Sequence, residues 1–257
     1  QGPCLLLLHG TGSGHFSWRG LMPALAAHFT VLAPDLPGHA FTSRGSEGTL
    51  SLSGMSEGLR ALLLQLQLTP QVIVGHSAGA AIGAHMALHF DSVAHSTLIG
   101  LNPAWLPLPG VASWLFGPAA KLASLNPLSA WATAKMAAKP GAVADWLART
   151  GSTLDANGLD LYTRVLSHSG HVHGVLSMMA AWQLKPLAAR LHEIRNPVCM
   201  LIGKQDQTVP PALAEVAQAL LPQARMQIQA GLGHLAPCAV AAAQHTATLV
   251  ESLKSVV

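Results

Sequence analysis

The chain has 257 residues, of which 50% are hydrophobic and only 10% are charged. This length suits one large α/β domain that carries an insertion, and no apolar run reaches the roughly 20 residues that cross a bilayer. The net charge of +3 comes from scarce carboxylates, 11 against 14 Lys and Arg, and no basic cluster is present. We therefore expect neither nucleic-acid binding nor an integral membrane segment.

The cysteines are few and widely spaced: Cys4, Cys199 and Cys238. Two of them fall in predicted strands, which favours buried thiols in a reducing, cytoplasmic compartment over a disulfide framework or a metal site. The chain runs from Gln1 almost directly into the apolar segment 4–8, without a basic segment before it. We interpret that segment as a buried strand rather than a signal peptide, and the missing initiator methionine suggests a fragment.

Strands and helices alternate along the first part of the chain. Apolar and β-branched runs predict strands at 4–8, 30–33, 72–74 and 96–101. Apolar residues at helical spacing predict helices at 18–29, 51–68 and 78–90. The repeated strand-loop-helix order predicts an α/β fold with a doubly wound, mostly parallel sheet and right-handed crossovers.

From about residue 102 to residue 186 this alternation stops. The segment is punctuated by proline and rich in Trp, Leu, Ala and Met, and it is too long for a simple crossover. We predict an inserted helical cap at 102–186 and a core formed by 1–101 and 187–257. Alternation resumes with predicted strands at 198–203 and 225–229, a helix at 211–221, and a final helix after the loop 230–237 that ends near residue 253.

The sequence Gly-His-Ser-Ala-Gly at 75–79 follows a β-branched run and opens into an alanine-rich helix pattern. This is the strand-turn-helix context that a G-x-S-x-G nucleophile elbow requires. Such a turn exposes the Ser77 hydroxyl above the sheet edge, while Gly75 and Gly79 leave room where a Cβ would strike a neighbouring strand or helix. The alternative is an ordinary strand-to-helix turn that Ser77 caps.

A serine hydroxyl becomes a nucleophile when a neighbouring base, oriented by a third group, removes its proton. Asp206 is the candidate acid because it lies in the loop that leaves the predicted strand 198–203; the alternative is a turn-forming aspartate. Asn102, at the end of the preceding strand, cannot carry the charge. His234 is the candidate base because it lies in the glycine-containing loop after the last predicted strand, and activity should rise with pH as it loses its proton.

The third requirement is an oxyanion hole. This architecture forms the hole from two backbone amides: the amide of the residue after the nucleophile and an amide of the loop after the first strand. Those amides belong to Ala78 and Thr11, and the preceding His9-Gly10 allows close approach of the backbone. A plain glycine turn is the alternative for this loop.

Taken in chain order, these features resemble the α/β-hydrolase superfamily over nearly the whole sequence. The resemblance rests on His9-Gly10, the loop 34–39, the Ser77 elbow, Asp206 and the segment 231–234. It implies an α/β-hydrolase fold, whose members normally have two further strands before the strand at 5–8. Because this sequence has no residues for them, either it is truncated or one sheet edge is unpaired and liable to associate.

Within the superfamily the sequence resembles the magnesium-chelatase accessory proteins of bacteriochlorophyll biosynthesis, the BchO group. The likeness rests on Trp18-Arg19, 36–42, 75–80, 101–104, 151–152, 170–172, 178–180 and Trp182. It implies an association with insertion of Mg²⁺ into protoporphyrin IX, a tetrapyrrole as the small-molecule substrate, and magnesium chelatase subunits as partners. It further implies a cytoplasmic protein with peripheral contact to the photosynthetic membrane.

Large apolar side chains of the predicted cap suit a pocket for a bulky, flat substrate, although packing of the cap helices is the alternative for each of them. These side chains include Trp114, Leu115, Phe116, Trp131 and Trp146. The candidate substrate-binding residues are His9, Gly10, His39, His76, Trp105, Met178, Met179 and Trp182. For His39 and His76, a structural role is an equal alternative.

The segment 168–173 contains three histidines. No carboxylate or cysteine stands beside them and Mg²⁺ prefers oxygen ligands, so we interpret the segment as a polar loop and predict no metal ligand and no cofactor. We likewise expect Asp35 to fix its own loop by local hydrogen bonds.

Three hypotheses follow. The first is a serine hydrolase that cleaves an ester-like bond of a bulky apolar substrate linked to magnesium-porphyrin synthesis. The second is a non-catalytic accessory protein that binds porphyrin or chelatase, because fold alone does not decide function. The third is a generic carboxylesterase or carbon-carbon hydrolase.

Overall fold

A computed structural model describes residues 2–46, 48–107, 119 and 121–238 of the chain. Within them, six strands form one sheet in the order β2-β1-β3-β4-β5-β6. The strands are β1 (Cys4–Leu8), β2 (Thr30–Leu32), β3 (Pro70–His76), β4 (Thr97–Leu101), β5 (Val198–Gly203) and β6 (Arg225–Gln229). All neighbouring strands are parallel, which confirms the predicted sheet. The strand order reverses beside β1, and ligands of such sheets bind at the carboxyl ends of strands around this point.

The continuous apolar sequence of β1 follows from its central place in the sheet. Leu5 and Leu7 pack on one face with Trp18, whereas Leu6 and Leu8 pack on the other face. A strand that is covered on both faces gains from apolar residues at every position rather than at alternate ones. The core therefore has two apolar layers, one on each face of the sheet, with β1 and its neighbouring strands between them.

The helices cover both faces of this sheet and fill the segment between β4 and β5. They are α1 (Met22–Ala26), α2 (Leu52–Leu66), α3 (Ala78–His89), α4 (Pro127–Ala137), α5 (Ala142–Ala148), α6 (Ala156–Leu166), α7 (Ser169–Ala181), α8 (Lys185–Arg190) and α9 (Pro211–Leu220). Residues 121–125 are also helical. None of the helices in the described residues combines the length and the apolar character needed to cross a membrane.

Two predicted elements differ from those found. The predicted helix at 18–29 is a 3-10 turn at His15–Trp18 followed by the short α1, because Pro23 has no N–H and fits only the first turn of a helix. The predicted polar loop at 168–173 is wrong: α7 begins at Ser169, and His171, Gly174 and Met178 recur at helical spacing on a buried side.

The inserted segment between β4 and β5 is helical where it is described, with α4 packed against α7. The proposed limits of a cap at 102–186 stay a prediction. The predicted final helix up to residue 253, together with Trp114, Leu115 and Phe116, lies outside the described residues. All three cysteines are buried, as their sequence context predicts.

Leu6 and Leu64 give a matched test of this core. Leu6 is fully buried in β1, whereas Leu64 on α2 is 61% exposed. We expect Leu6→Ala to lower the free energy of unfolding by about 2–5 kcal/mol, because it removes buried methyl groups and leaves a cavity. Leu64→Ala should change the same quantity by less than about 0.5 kcal/mol. Urea denaturation measures both, and equal losses would contradict the assignment of β1 to the core.

Candidate active site

The turn between β3 and α3 holds Ser77 in a backbone conformation that few residues adopt. Its φ is 52° and its ψ is −114°, and such strain persists where surrounding contacts enforce it. The Ser77 N–H donates to the carbonyl of Leu101 at 3.0 Å, and the Ser77 carbonyl accepts from the N–H groups of Ala80 and Ala104 at 3.1 Å. A Cβ on Gly79 would collide with the carbonyl of Leu8. The sharp turn therefore depends on close backbone contact with both neighbouring strands.

The two other predicted members of the site lie beside this turn. Nε2 of His234 is 3.1 Å from the Ser77 hydroxyl, and Nδ1 of His234 is 2.7 Å from Oδ2 of Asp206. All three residues are buried. The other carboxylate oxygen of Asp206 accepts from the N–H groups of Thr208 and Val209 at 2.7 and 2.8 Å. With Nδ1–H donated to the carboxylate, Nε2 is left to accept the serine proton.

The side chain of Asn102, directly after β4, binds the backbone of the loop that carries His234. Its Nδ2 donates to the carbonyls of Gly233 and His234 at 3.0 and 2.9 Å, while its Oδ1 accepts from the N–H of Gly203 at 2.7 Å. His76 adds a third donor, because its Nε2 lies 2.8 Å from the carbonyl of His234. The sequence predicts for Asn102 only that it cannot carry the charge of the acid. Its place at the end of a buried strand is the signal that could have indicated this role.

The predicted oxyanion-hole residues lie on the two sides of the elbow. Ala78 is the first residue of α3, so its N–H has no acceptor four residues earlier within the helix. A Cβ on Gly10 would stand 2.9 Å from Nδ1 of His76 and 3.2 Å from Cβ of Ser77. The β1 loop that carries Thr11 therefore runs beside the serine, and the oxyanion role of Ala78 and Thr11 stays a prediction.

His9 and His39 are fully buried and bind neighbouring backbone groups. His9 donates through Nδ1 to the carbonyl of Gly10 at 2.8 Å and accepts through Nε2 from the N–H of Leu36 at 2.9 Å. His39 donates through Nδ1 to the carbonyl of Pro37 at 3.1 Å, while its Nε2 has no hydrogen-bond partner among the described residues. These contacts favour the structural alternative for both residues, and their binding of substrate stays a prediction.

His171 joins α7 to the loops of the core. Its Nδ1 accepts from the N–H of Ala40 at 2.9 Å, and its Nε2 lies 3.3 Å from the carbonyl of Gly12. The ring also packs edge-on against His39, with 5.5 Å between centroids. A residue expected in a polar loop is thus a buried contact between the helical insertion and the sheet. The sequence predicts that Asp35 bonds within its own loop, but its short bonds join that loop to the one after β1. Asp35 accepts from the N–H of His15 at 2.7 Å and lies 3.0 Å from Nδ1 of His15, while the N–H of Phe41 in its own loop is 3.4 Å away.

The predicted pocket residues divide into two groups. Trp105, Met178 and Trp182 pack in the same apolar cluster, where Trp105 also donates from Nε1 to the carbonyl of Ala80 at 2.9 Å. Met178 approaches the site directly, since its sulfur is 3.8 Å from Oγ1 of Thr11. The other members lie elsewhere: Met179 is half-buried on α7, Trp146 packs in a separate cluster, and Trp131 is 55% exposed.

Burial keeps four of these imidazoles neutral. It lowers the pKa of His9 and His171 to about 4 and the pKa of His39 and His76 to about 3. Loss of hydration is the main cause, and neighbouring imidazoles lower each pKa further. A neutral ring can accept as well as donate, which the contacts of His9 and His171 require.

Comparisons with known proteins agree with this fold. The sequence model of the alpha/beta hydrolase fold family matches residues 3–237. The magnesium-chelatase 30 kDa subunit of Rhodobacter capsulatus is 36% identical over 91% of this chain and 81% of its own length. A pimeloyl-[acyl-carrier protein] methyl ester esterase of Aromatoleum aromaticum is 31% identical over 90% of this chain and 91% of its own length. The crystal structure of an enol-lactonase from Burkholderia xenovorans superimposes with a TM-score of 0.76 at 21% identity, covering 99% of this chain and 92% of that one.

Gly79 and Gly58 provide a matched test of the elbow. Gly79→Ala puts a Cβ against the carbonyls of Leu8 and His9, so we expect a loss of about 1–3 kcal/mol in the free energy of unfolding. Gly58 on α2 has no heavy atom within 4 Å of a built Cβ, and Gly58→Ala should raise stability by about 1 kcal/mol. Urea denaturation of both variants measures the difference, and a stabilising Gly79→Ala would contradict the close approach.

The buried histidines predict a stability that falls in acid. Above a pH of about 6.5 imidazoles are neutral in the folded and the unfolded chain alike, and the full stability is present. As the pH falls toward about 4, the unfolded chain binds protons that the buried rings cannot bind, which costs on the order of 1 kcal/mol per pH unit for each fully buried ring. Denaturation at several pH values measures this slope. His39→Gln should make it shallower, exposed His95→Gln should not, and a flat profile would contradict neutral burial.

Proposed function

The chain belongs to the α/β-hydrolase family, and from this premise we propose that it is a serine hydrolase that cleaves an ester-like bond in a bulky, apolar substrate. The observation that carries the proposal is the continuous chain of contacts from the Ser77 hydroxyl through His234 to Asp206. The relative named as a methyl ester esterase supports the reaction class.

The geometry accounts for each step of acyl transfer. Ser77 Oγ attacks the carbonyl carbon while Nε2 of His234 takes its proton, and Asp206 stabilises the imidazolium that forms. The amides of Thr11 and Ala78 donate to the oxyanion of the tetrahedral intermediate. The intermediate collapses as the imidazolium gives the proton to the leaving alcohol. Water, deprotonated by His234, then attacks the acyl-serine and releases the acid and the free serine.

The substrate class is proposed from one relative and from the apolar cluster beside the serine. Similarity to a magnesium-chelatase subunit over most of both chains favours an ester of a tetrapyrrole, with chelatase subunits as partners. Of the predicted pocket residues in this cluster, Trp105 and Met178 are packed in the core, and the half-buried Trp182 is the one that offers apolar surface to a flat macrocycle. By the same likeness we propose a cytoplasmic protein that contacts the photosynthetic membrane peripherally.

Two other functions fit particular observations. The name of the Rhodobacter relative favours a non-catalytic accessory protein that binds porphyrin or chelatase. The methyl ester esterase favours a generic carboxylesterase, or a carbon-carbon hydrolase, outside tetrapyrrole chemistry. Aspartate-based dehalogenase and epoxide hydrolase reactions are disfavoured because Ser77 occupies the nucleophile position.

Labelling by a fluorophosphonate probe tests the proposal. We expect the wild-type chain to be labelled and Ser77→Ala to remain unlabelled, because the probe reacts only with an activated serine. His234→Ala should slow labelling at least about 10³-fold. Ser96→Ala is the control, since Ser96 is also buried but donates to the carbonyl of Pro70 at the opposite end of the sheet.

Absence of labelling in a folded wild-type chain would exclude the serine hydrolase. If that chain still bound protoporphyrin IX, the accessory function would replace it. Where labelling depends on both residues, hydrolysis of tetrapyrrole methyl esters against simple aryl esters separates the tetrapyrrole hydrolase from a generic esterase.

A further inference from the structure

A short turn of the helical insertion contacts both loops that carry the proposed acid and base. The turn comprises residues 150–152 and follows α5, where the N–H of Thr150 and the N–H of Gly151 donate to the last carbonyls of that helix. We call it the 150–152 turn. In sequence the turn precedes both loops. The acid loop, 204–210, follows β5 and carries Asp206, and the base loop, 230–237, follows β6 and carries His234.

One carbonyl of this turn joins the two loops. The Thr150 carbonyl accepts from the N–H of His234 at 3.1 Å and from the N–H of Gln207 at 3.3 Å. Ser152 adds a side-chain contact, because its Oγ accepts from the N–H of Leu235 at 2.8 Å. His234 and Leu235 are buried, and buried backbone N–H groups need acceptors, so these two donors depend on the turn for their hydrogen bonds.

Glycines bring the three backbones into contact. Gly151 has a φ of 76°, and a Cβ on it would collide with the carbonyl of Gln205, just before Asp206. A Cβ on Gly233 would in turn collide with the carbonyl of Gly151. The turn thus packs between the acid loop and the base loop at distances that only glycine permits.

The base loop is therefore held from two sides. On the core side, Asn102 and His76 donate to the carbonyl of His234. On the other side, the 150–152 turn accepts from His234 and from the residue after it. Both backbone polar groups of His234 are fixed, and one of the two anchors belongs to the helical insertion.

We propose that the 150–152 turn is a positioning element that sets the Asp206–His234 pair against Ser77, with Ser152 as its positioning residue. The proposal rests on the serine hydrolase function proposed above. Because the turn belongs to the insertion, docking of the insertion on the sheet is coupled to the reactivity of the serine. A displaced insertion removes the acceptors of Gln207, His234 and Leu235 together.

Ser152→Ala tests the side-chain part of this element. Loss of the acceptor for Leu235 should lower the rate of fluorophosphonate labelling, and kcat on an aryl ester, by about 10- to 100-fold. KM should stay near the wild-type value, because Ser152 is placed to hold the loop rather than to touch substrate. Ser152→Thr keeps the hydroxyl and should restore both rates. Ser167→Ala is the matched control, since the Ser167 hydroxyl lies in the same insertion and has no partner among the described residues.

Native-state hydrogen exchange tests the shared acceptor without any substitution. The amides of Gln207 and His234 should exchange with the same opening free energy, because both bonds break when the turn leaves. Exchange rates that differ by more than about tenfold after correction for sequence would overturn the coupling.

The outcomes separate the two proposals. An unreactive but folded wild-type chain refutes the serine hydrolase, whereas the exchange result still decides whether the two loops share the turn. A reactive wild-type chain whose Ser152→Ala variant is folded and reacts at the wild-type rate overturns the positioning role alone.

Discussion

The strained turn at Ser77 is the constraint to which the rest of the structure is fitted. A residue with a side chain is held at a φ of 52° because its backbone N–H and carbonyl bind β4 and the segment just after it. Such a conformation costs on the order of 1–3 kcal/mol. It persists because Gly79 lets α3 pack directly on β1, where any larger residue would strike the carbonyl of Leu8. The buried double-sided sheet supplies the rigidity that maintains this strain.

The loops of Asp206 and His234 face a different constraint, which is to find hydrogen-bond partners for their backbone groups. They are irregular, yet their polar backbone groups are buried and must find partners. Asn102 meets this need with one side chain that binds three backbone groups, which lie 101, 131 and 132 residues away in sequence. The 150–152 turn meets it with the backbone carbonyl of Thr150 and the hydroxyl of Ser152. Because these anchors come from different parts of the chain, the order of the site depends on the whole fold rather than on any local motif.

Regular elements and the three central residues could be predicted from the sequence, because each leaves a local signal. The bounds of β5 and β6 match the predicted ranges. β5 is a short buried apolar run between turn residues, whereas in the largely exposed β6 Met226 and Ile228 alternate with polar residues. The elbow, Asp206 and His234 each follow a predicted strand, and parallel strands bring their carboxyl ends to one edge. Other features leave a weaker signal or none. The first turn of the helix at 169–181 was missed because histidine, serine and glycine there indicate a polar loop. Asn102 is marked only by its place at the end of a buried strand, and the contacts of Thr150 were missed because they join residues distant in sequence.

The strained turn at Ser77 and the buried carboxylate of Asp206 also bear on the choice between a hydrolase and a binding protein. A pocket for an apolar macrocycle requires apolar surface, and the half-buried Trp182 supplies some of it without a strained turn, whereas Trp105 and Met178 are packed in the core. Backbone strain at Ser77 and a buried carboxylate at Asp206 lower stability, and neither improves binding of an apolar ligand. Both are what an acyl-transfer site requires, because the strain exposes the serine oxygen and the carboxylate stabilises a protonated His234. The cost of these two features favours the hydrolase over a protein that only binds.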